Sequence, residues 1–329
     1  MRILYVSHRV APCPGGTEVF MTALADETAA RGHEVAVFTG EGLSRPGVRV
    51  TFDPAVLQEP WDAIVVHATD GRPQCTALTF ASRLSSPILY LLIWPQVHAG
   101  LTPQALHAVR WIGVSTQADA RYLSQFPPHI QAKARSVRHS VSTSSSVVGT
   151  RGRFRSRFNI QTRFMFLSCG GFWAHKGMQE LADTFKALQL PDTTLVLTGY
   201  KADRQHMPAD ASAVRVLVLE DKQDVADAMT DADLYIMNST HEGFGLVLIE
   251  AMMNRLPWIA RAIAGAVEMA EHGRTYVDQE GLRELMRDHE ALKQNAEGAF
   301  QYAVKHRSTT NTVDDILACI SGKNYVPPV

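Results

Sequence analysis

At 329 residues, 46% hydrophobic and 20% charged, the chain has the length of about two domains and an ordinary globular composition. A formal net charge of -1 gives no electrostatic basis for a nucleic-acid partner. Cys13, Cys75, Cys169 and Cys319 lie far apart with no C-x-x-C pair, which argues against a disulfide framework or a cysteine metal site and suits a reducing, cytoplasmic setting.

Met1 to Ser7 is too short an apolar run for a signal peptide, and no run approaches the ~18 apolar residues of a membrane helix. Ile3 to Ser7 instead reads as a first strand. A loop holding Gly15-Gly16 follows, and Thr17 is the expected N-cap of a helix to about Ala30, with Phe20 and Leu24 one turn apart on its buried face. Further strands are expected at Glu34–Phe38, Val48–Phe52, Ala63–His67, Ile88–Ile93 and Trp111–Ser115. Helical segments separate several of them, the signature of a parallel, doubly wound sheet. His67 ends its strand on the ligand side, and His98 lies in the loop after Trp94-Pro95. Either imidazole suits acid/base work near neutrality, and a histidine at a strand end also serves as an ordinary satisfied polar group.

From about Lys133 to Arg163 the composition changes. A serine-rich run, then Arg151, Arg153, Arg155 and Arg157, reads as a linker running into a helix start, with an anionic-lipid or phosphate patch as the alternative. Phe164–Leu167 restarts the alternation and leads through Gly170-Gly171 to Lys176-Gly177, at the start of a helix from Met178 to Leu188. The order Lys-Gly excludes a Walker loop, yet a lysine there suits an anion. Thr194–Thr198, closed by Gly199, and Val214–Leu219 read as strands.

Ala232–Met237 and Leu256–Ala260 then bracket a glycine-rich loop, Asn238 to Gly245, and a short helix, Leu246 to Met253. In an open parallel sheet this loop falls where ligands bind, outside the carboxyl ends of the strands. Gly243 and Gly245 let a ligand approach the backbone, and the helix amides that follow make a seat for phosphate. Glu242 stands in the loop. Glu250 stands in an otherwise apolar helix, where a carboxylate is costly unless it is hydrogen-bonded or reaches solvent.

Taken in order, Ala232-Asp233, Ser239, Glu242-Gly-Phe-Gly-Leu-Val-Leu-Ile-Glu250, Pro257, Gly265 and Glu268 resemble the signature of the family 4, or group 1, retaining glycosyltransferases. Weaker matches are Gly15-Gly16-Thr17-Glu18, Asp62 to His67, Val114-Ser115 and Lys176-Gly177. The resemblance implies an α/β GT-B fold, two doubly wound Rossmann-like domains facing across a cleft. The expected division is an acceptor-side domain over 1–150, a nucleotide-sugar domain over 151–305 and a helical segment over 306–329 packing back on the first domain. It implies transfer of a hexosyl group from a nucleotide diphosphate sugar to a glycan, lipid-linked or small-molecule acceptor, in the cytoplasm or peripherally at the inner membrane face. Lys176, Glu242 and His98 would be catalytic. Gly15, Gly16, Gly199, Gly243, Phe244, Gly245, Leu246 and Glu250 would hold the donor, with Glu250 on the ribose and Lys176 on the leaving diphosphate. No metal or other cofactor is implied. Asp231-Ala-Asp233 looks like the metal-binding DxD of other sugar transferases, but it lies at a strand start, the wrong end of the sheet.

Two departures stand out. The family usually carries an arginine five residues before the lysine, and that position is Gly171, leaving Lys201, Arg9 or Arg261 to replace it. The family histidine of the first domain has no counterpart in Leu92–Gln96, and only His98 is near. These keep two alternatives in view: a degenerate protein that binds a nucleotide sugar or a partner transferase, and an epimerase or hydrolase on the same fold.

Overall fold

The computed structural model describes residues 1–13, 15–67, 72–92, 103–142, 148–199, 206–219 and 221–322. His98 and Lys201 lie outside them. The chain divides into two compact units, Met1–Val141 with Arg307–Val329, and Ser142–His306.

The first unit is built on β1 (Arg2–Val6), β2 (Glu34–Phe38), β3 (Val48–Thr51), β4 (Ala63–His67), β5 (Ile88–Leu91), β6 (Trp111–Val114) and β7 (Ala134–Ser136), in the spatial order β3-β2-β1-β4-β5-β6-β7. Every neighbouring pair is parallel. Ile3 to Val6 and Ala63 to Val66 are fully buried, because a parallel sheet is covered on both faces. The helix Thr309–Ile320 belongs to this unit. Asp314 pairs with Arg31 at 2.6 Å, Asp315 pairs with Arg138 at 2.6 Å, and Val141 N–H donates to the Arg307 carbonyl at 3.1 Å.

The second unit is built on β8 (Phe164–Cys169), β9 (Thr193–Gly199), β10 (Val214–Val218), β11 (Leu234–Met237), β12 (Trp258–Arg261) and β13 (Arg274–Tyr276), ordered β10-β9-β8-β11-β12-β13 and again parallel. On one face Phe166, Leu195, Leu197, Leu234 and Ile236 pack against Leu181 and Phe185 of the helix Met178–Leu188 and Leu282 and Met286 of the helix Gln279–Arg287. Each such apolar side chain contributes about 1.5–3 kcal/mol on burial. The winding reverses between β1 and β4 in one sheet and between β8 and β11 in the other. In open α/β sheets the ligand crevice opens at such a switch point. The Gly15-Gly16 loop follows β1, and the Lys176 and Glu242 loops follow β8 and β11.

Two expectations change. Thr17 is not the helix cap. Gly15 is, at φ 139° and with no side-chain cap bond, because the Glu18 carboxylate folds back so closely that a Cβ on Gly15 would lie 2.1 Å from its Oε2. The stretch read as linker carries β7 and a short helix, Arg153–Arg157. Three of its arginines are committed to carboxylates of their own unit: Arg153 to Asp227 at 3.3 Å, Arg155 to Asp233 at 2.9 Å, and Arg157 to Asp224. Asp231 accepts from the backbone N–H of Gly152 at 2.5 Å and of Arg155 at 3.1 Å, so the Asp-x-Asp run serves to cap this helix. No helix among the described residues is long and apolar enough to cross a membrane.

Candidate donor-binding site

Past β8 the chain turns through Gly170 (φ 152°) and Gly171, buries Phe172, and forms a 3-10 turn over Ala174–Lys176 before Gly177 (φ 62°) opens the next helix. Gly177 is required twice, for its left-handed backbone and because a Cβ would come within 2.7 Å of the Asn238 amide. That amide donates to the Gly177 carbonyl at 2.8 Å, and Thr240 N–H donates to the His175 carbonyl at 2.8 Å. These bonds strap the Lys176 turn to the loop after β11. Asn238 is itself held by the Tyr276 hydroxyl at 2.6 Å and by Arg261 at 3.1 Å. Burial raises the Tyr276 hydroxyl pKa, so it stays a neutral donor at physiological pH.

The strap brings Lys176 Nζ to 2.5 Å from Glu242 Oε1, which also accepts from the Ser239 hydroxyl at 2.6 Å. Both side chains of the ion pair are mostly shielded, 18% and 15% exposed. Beyond Glu242, the Phe244 side chain is buried. Gly245, at φ 88°, begins the helix Leu246–Met253, whose first-turn amides lack helical partners. Gly265 braces this loop from behind, since a Cβ there would lie 1.9 Å from the Phe244 carbonyl oxygen. Glu250 stands one turn into the helix, half-buried, with Leu248, Ile249, Ala251 and Met252 buried around it. Its charge reaches the end of β8: burial pushes the Cys169 thiol up to about 12, and the Glu250 carboxylate adds to that rise.

Lys176, Glu242, Gly243 to Leu246 and Glu250 therefore converge at one switch point. A cation, a carboxylate and a helix N-terminus together can hold a phosphate and orient sugar hydroxyls. Residues 163–299 match the family described as glycosyl transferases group 1. The second unit belongs to the group 1 glycosyltransferases. A mannosylfructose-phosphate synthase of Agrobacterium fabrum is 27% identical over 203 residues, 54% of this chain and 44% of that relative, so the chain spans less than half of the relative's length. Among solved structures, Anabaena HepE in complex with UDP superposes with a TM-score of 0.76 at 18% identity, covering 98% of this chain and 100% of that one. Sucrose-phosphate synthase from Thermosynechococcus elongatus does so at 0.75 and 16%, covering 98% of each. The fold is GT-B, with two Rossmann-like units.

Within the glycosyltransferase unit, Gly199 has a packing reason to be glycine, since a Cβ would lie 2.7 Å from the Gly170 carbonyl and 2.6 Å from the Phe172 ring. Arg261 is held by Glu180 at 2.8 Å in addition to Asn238, and Arg9, in the first unit, by Glu18 at 3.1 Å. A cavity of about 830 Å³ opens beside the helix start, lined by Trp173, Gly177, Glu180, Asp183, Thr240 and Arg283. Neither Lys176 nor Glu242 lines it, and its two carboxylates make it a poor phosphate seat.

The first unit holds a second cluster at its strand ends. His67 and His139 are both buried, and the Phe20 ring lies 5.7 Å from one and stacks at 5.0 Å on the other. His139 Nδ1 is hydrogen-bonded to the Ser115 hydroxyl, which donates to the Val137 carbonyl at 2.6 Å. His139 follows β7 in the stretch read as linker, so nothing in the sequence marked it. Burial holds its pKa well below 6.5, helped by His67 and Arg307. The unfolded chain thus binds more protons below pH 6.5, and the stability conferred by the neutral ring is present above that pH and lost as pH falls. Between pH 6.5 and 5.5 the loss is at most about 1.4 kcal/mol per proton taken up. Thermal unfolding of wild type should weaken over this window more steeply than that of His139→Gln. Parallel pH profiles would show that His139 does not titrate on unfolding.

Proposed function

We propose that the chain is a retaining glycosyltransferase that moves a hexosyl group from a nucleoside diphosphate sugar to an acceptor hydroxyl. The observation that carries this reading is the Lys176–Glu242–Ser239 constellation beside the Leu246–Met253 helix N-terminus, at the switch point of a group 1 unit. In the reaction the sugar C1–O bond to the diphosphate breaks and a C1–O bond to the acceptor forms. The leaving oxygen takes the electron pair, and the acceptor proton passes to the departing phosphate. Lys176 exchanges Glu242 for that phosphate and neutralises it without a metal, while Glu242 and the loop amides turn to sugar hydroxyls. Glu250 accepts from the ribose. His98 as a catalytic residue and Gly15 and Gly16 as donor-binding residues remain part of this proposal on the resemblance alone.

A uridine donor is the first choice, because HepE has been solved with UDP and with UDP-glucose. Acceptors considered are a sugar phosphate, a glycan or a lipid-linked sugar, met in the cytoplasm or at its membrane face. A panel of UDP, GDP and ADP with their sugars tests the reading by thermal shift. The cognate nucleotide at ~100 times its Kd should add about 2.7 kcal/mol of stability. No response to any nucleotide overturns the proposal. Gly171 motivates one rival, a binder without turnover, and transfer from any donor to any acceptor removes it.

A further inference from the structure

We infer that the second unit holds a site for a small oxyanion at the amino ends of β12 and β13, the end of the sheet opposite the donor loops. Trp258 opens β12 and Arg274 opens β13. A cavity of about 200 Å³ lies between these strand starts and the helical turn that carries Gln294 and Asn295. Pockets that take drug-sized ligands run to roughly 300–1,000 Å³, so this one suits an ion or a single small group and is too small for a nucleotide sugar.

Its lining sets the charge of that ligand. Trp258 is 1% exposed and lines the cavity, and its Nε1 has no hydrogen-bond partner among the described residues. A buried indole N–H normally finds an acceptor, as Trp61 does on the Val56 carbonyl at 2.8 Å. An indole nitrogen only donates, so the partner it calls for is an acceptor. Gly273, also in the lining, lies over that edge of the ring: a Cβ there would stand 2.2 Å from Cε2, the carbon bonded to Nε1. The Arg274 guanidinium folds back on the same glycine, its Nη1 donating to the Gly273 carbonyl at 2.9 Å. Arg274 makes no ion pair with a carboxylate among the described residues. A buried donor and an uncompensated cation therefore meet at one wall of the cavity, joined through Gly273. No aspartate or glutamate is in the lining. Its other polar side chains are Gln294, Asn295, whose amide donates to the Glu271 carbonyl at 2.7 Å, and His272, which is stacked on Tyr302 at 3.8 Å. Such a set of groups accepts negative charge and offers nothing to balance a cation.

Calorimetric titration of the full chain with inorganic phosphate and with acetate, at fixed ionic strength, tests this. Wild type should bind at least one of them, and the one bound decides between a tetrahedral oxyanion and a carboxylate. Trp258→Phe keeps a packed ring and removes the N–H, and should weaken binding about tenfold, the low end of what a hydrogen bond to a charged group is worth. Arg274→Gln removes the charge and should weaken it by a similar factor. Lys176→Ala, which removes the cation of the donor site, should keep the binding. No binding of either anion overturns the inference, as does equal affinity in wild type, Trp258→Phe and Arg274→Gln. Binding lost in Lys176→Ala and kept in the other two variants also overturns it, because the anion would then sit at the donor site. Should Trp258→Phe fail to fold, Arg274→Gln decides alone, since that side chain is exposed and bonds only the neighbouring carbonyl.

Discussion

Lys176→Ala is expected to leave a folded protein whose kcat falls by roughly two to three orders of magnitude, the range seen when one preorganised electrostatic contact to developing charge is removed. Lys176 lies in a turn whose backbone carbonyls accept from the Asn238 side-chain amide and the Thr240 N–H, and neither bond uses the lysine side chain. Truncation removes the ion pair to Glu242, but Ser239 still donates to that carboxylate. The pair is mostly shielded, so truncation leaves a carboxylate that Ser239 alone satisfies, and the melting temperature should fall by several degrees while the protein stays folded. Lys176→Arg keeps the charge on a longer, planar group and should recover part of the rate. The measurement is initial rate at saturating nucleotide sugar, with the melting temperature recorded in parallel. Turnover at the wild-type rate in Lys176→Ala would remove the lysine from the chemistry.

What the chain reveals before folding depends on how much a given element carries in its own residues. The central strands are buried on both faces, so they appear as continuous runs of Ile, Val and Leu, and Glu34–Phe38, Ala63–His67 and the helix Leu246–Met253 fall where their sequences place them. The edge strands β7, Ala-Arg-Ser, and β13, Arg-Thr-Tyr, are three residues long and carry no apolar run. Their existence is decided by the neighbouring strand, which periodicity does not display. The linker arginines fail for a related reason. Their partners Asp224, Asp227 and Asp233 lie about seventy residues downstream, and only the packing of Arg153–Arg157 on Lys222–Asp231 brings the two sets together.

The candidate site was legible where a loop has a fixed order of residue types, as in Glu242 to Glu250. It was not legible where one side chain gains its meaning from a turn. Asn238 reads as a loop residue until its amide is seen holding Gly177. The same strap explains why a sequence gap of 66 residues between Lys176 and Glu242 is no obstacle to their pairing. Both loops leave adjacent parallel strands at the same end of the sheet.

Glu250→Ala separates binding from stability. If the carboxylate accepts two ribose hydroxyls, each bond to a charged acceptor being worth about 1.5–3 kcal/mol, alanine should weaken UDP binding by at least about a hundredfold. Stability should move the other way or stay put. Glu250 is half-buried in a helix whose remaining residues are apolar, beside a Cys169 thiol that its charge helps to push up to about 12. The carboxylate is partly open to solvent and alanine is the better helix former, so truncation costs the helix little. The expected pair of results is therefore a Kd for UDP raised by two orders of magnitude and a melting temperature equal to or above that of wild type, the signature of a residue kept for its ligand rather than for the fold. Glu250→Gln should fall between, because its amide oxygen still accepts but carries no charge. A destabilised Glu250→Ala with unchanged UDP affinity would assign the carboxylate to structure and move the ribose contact to another residue.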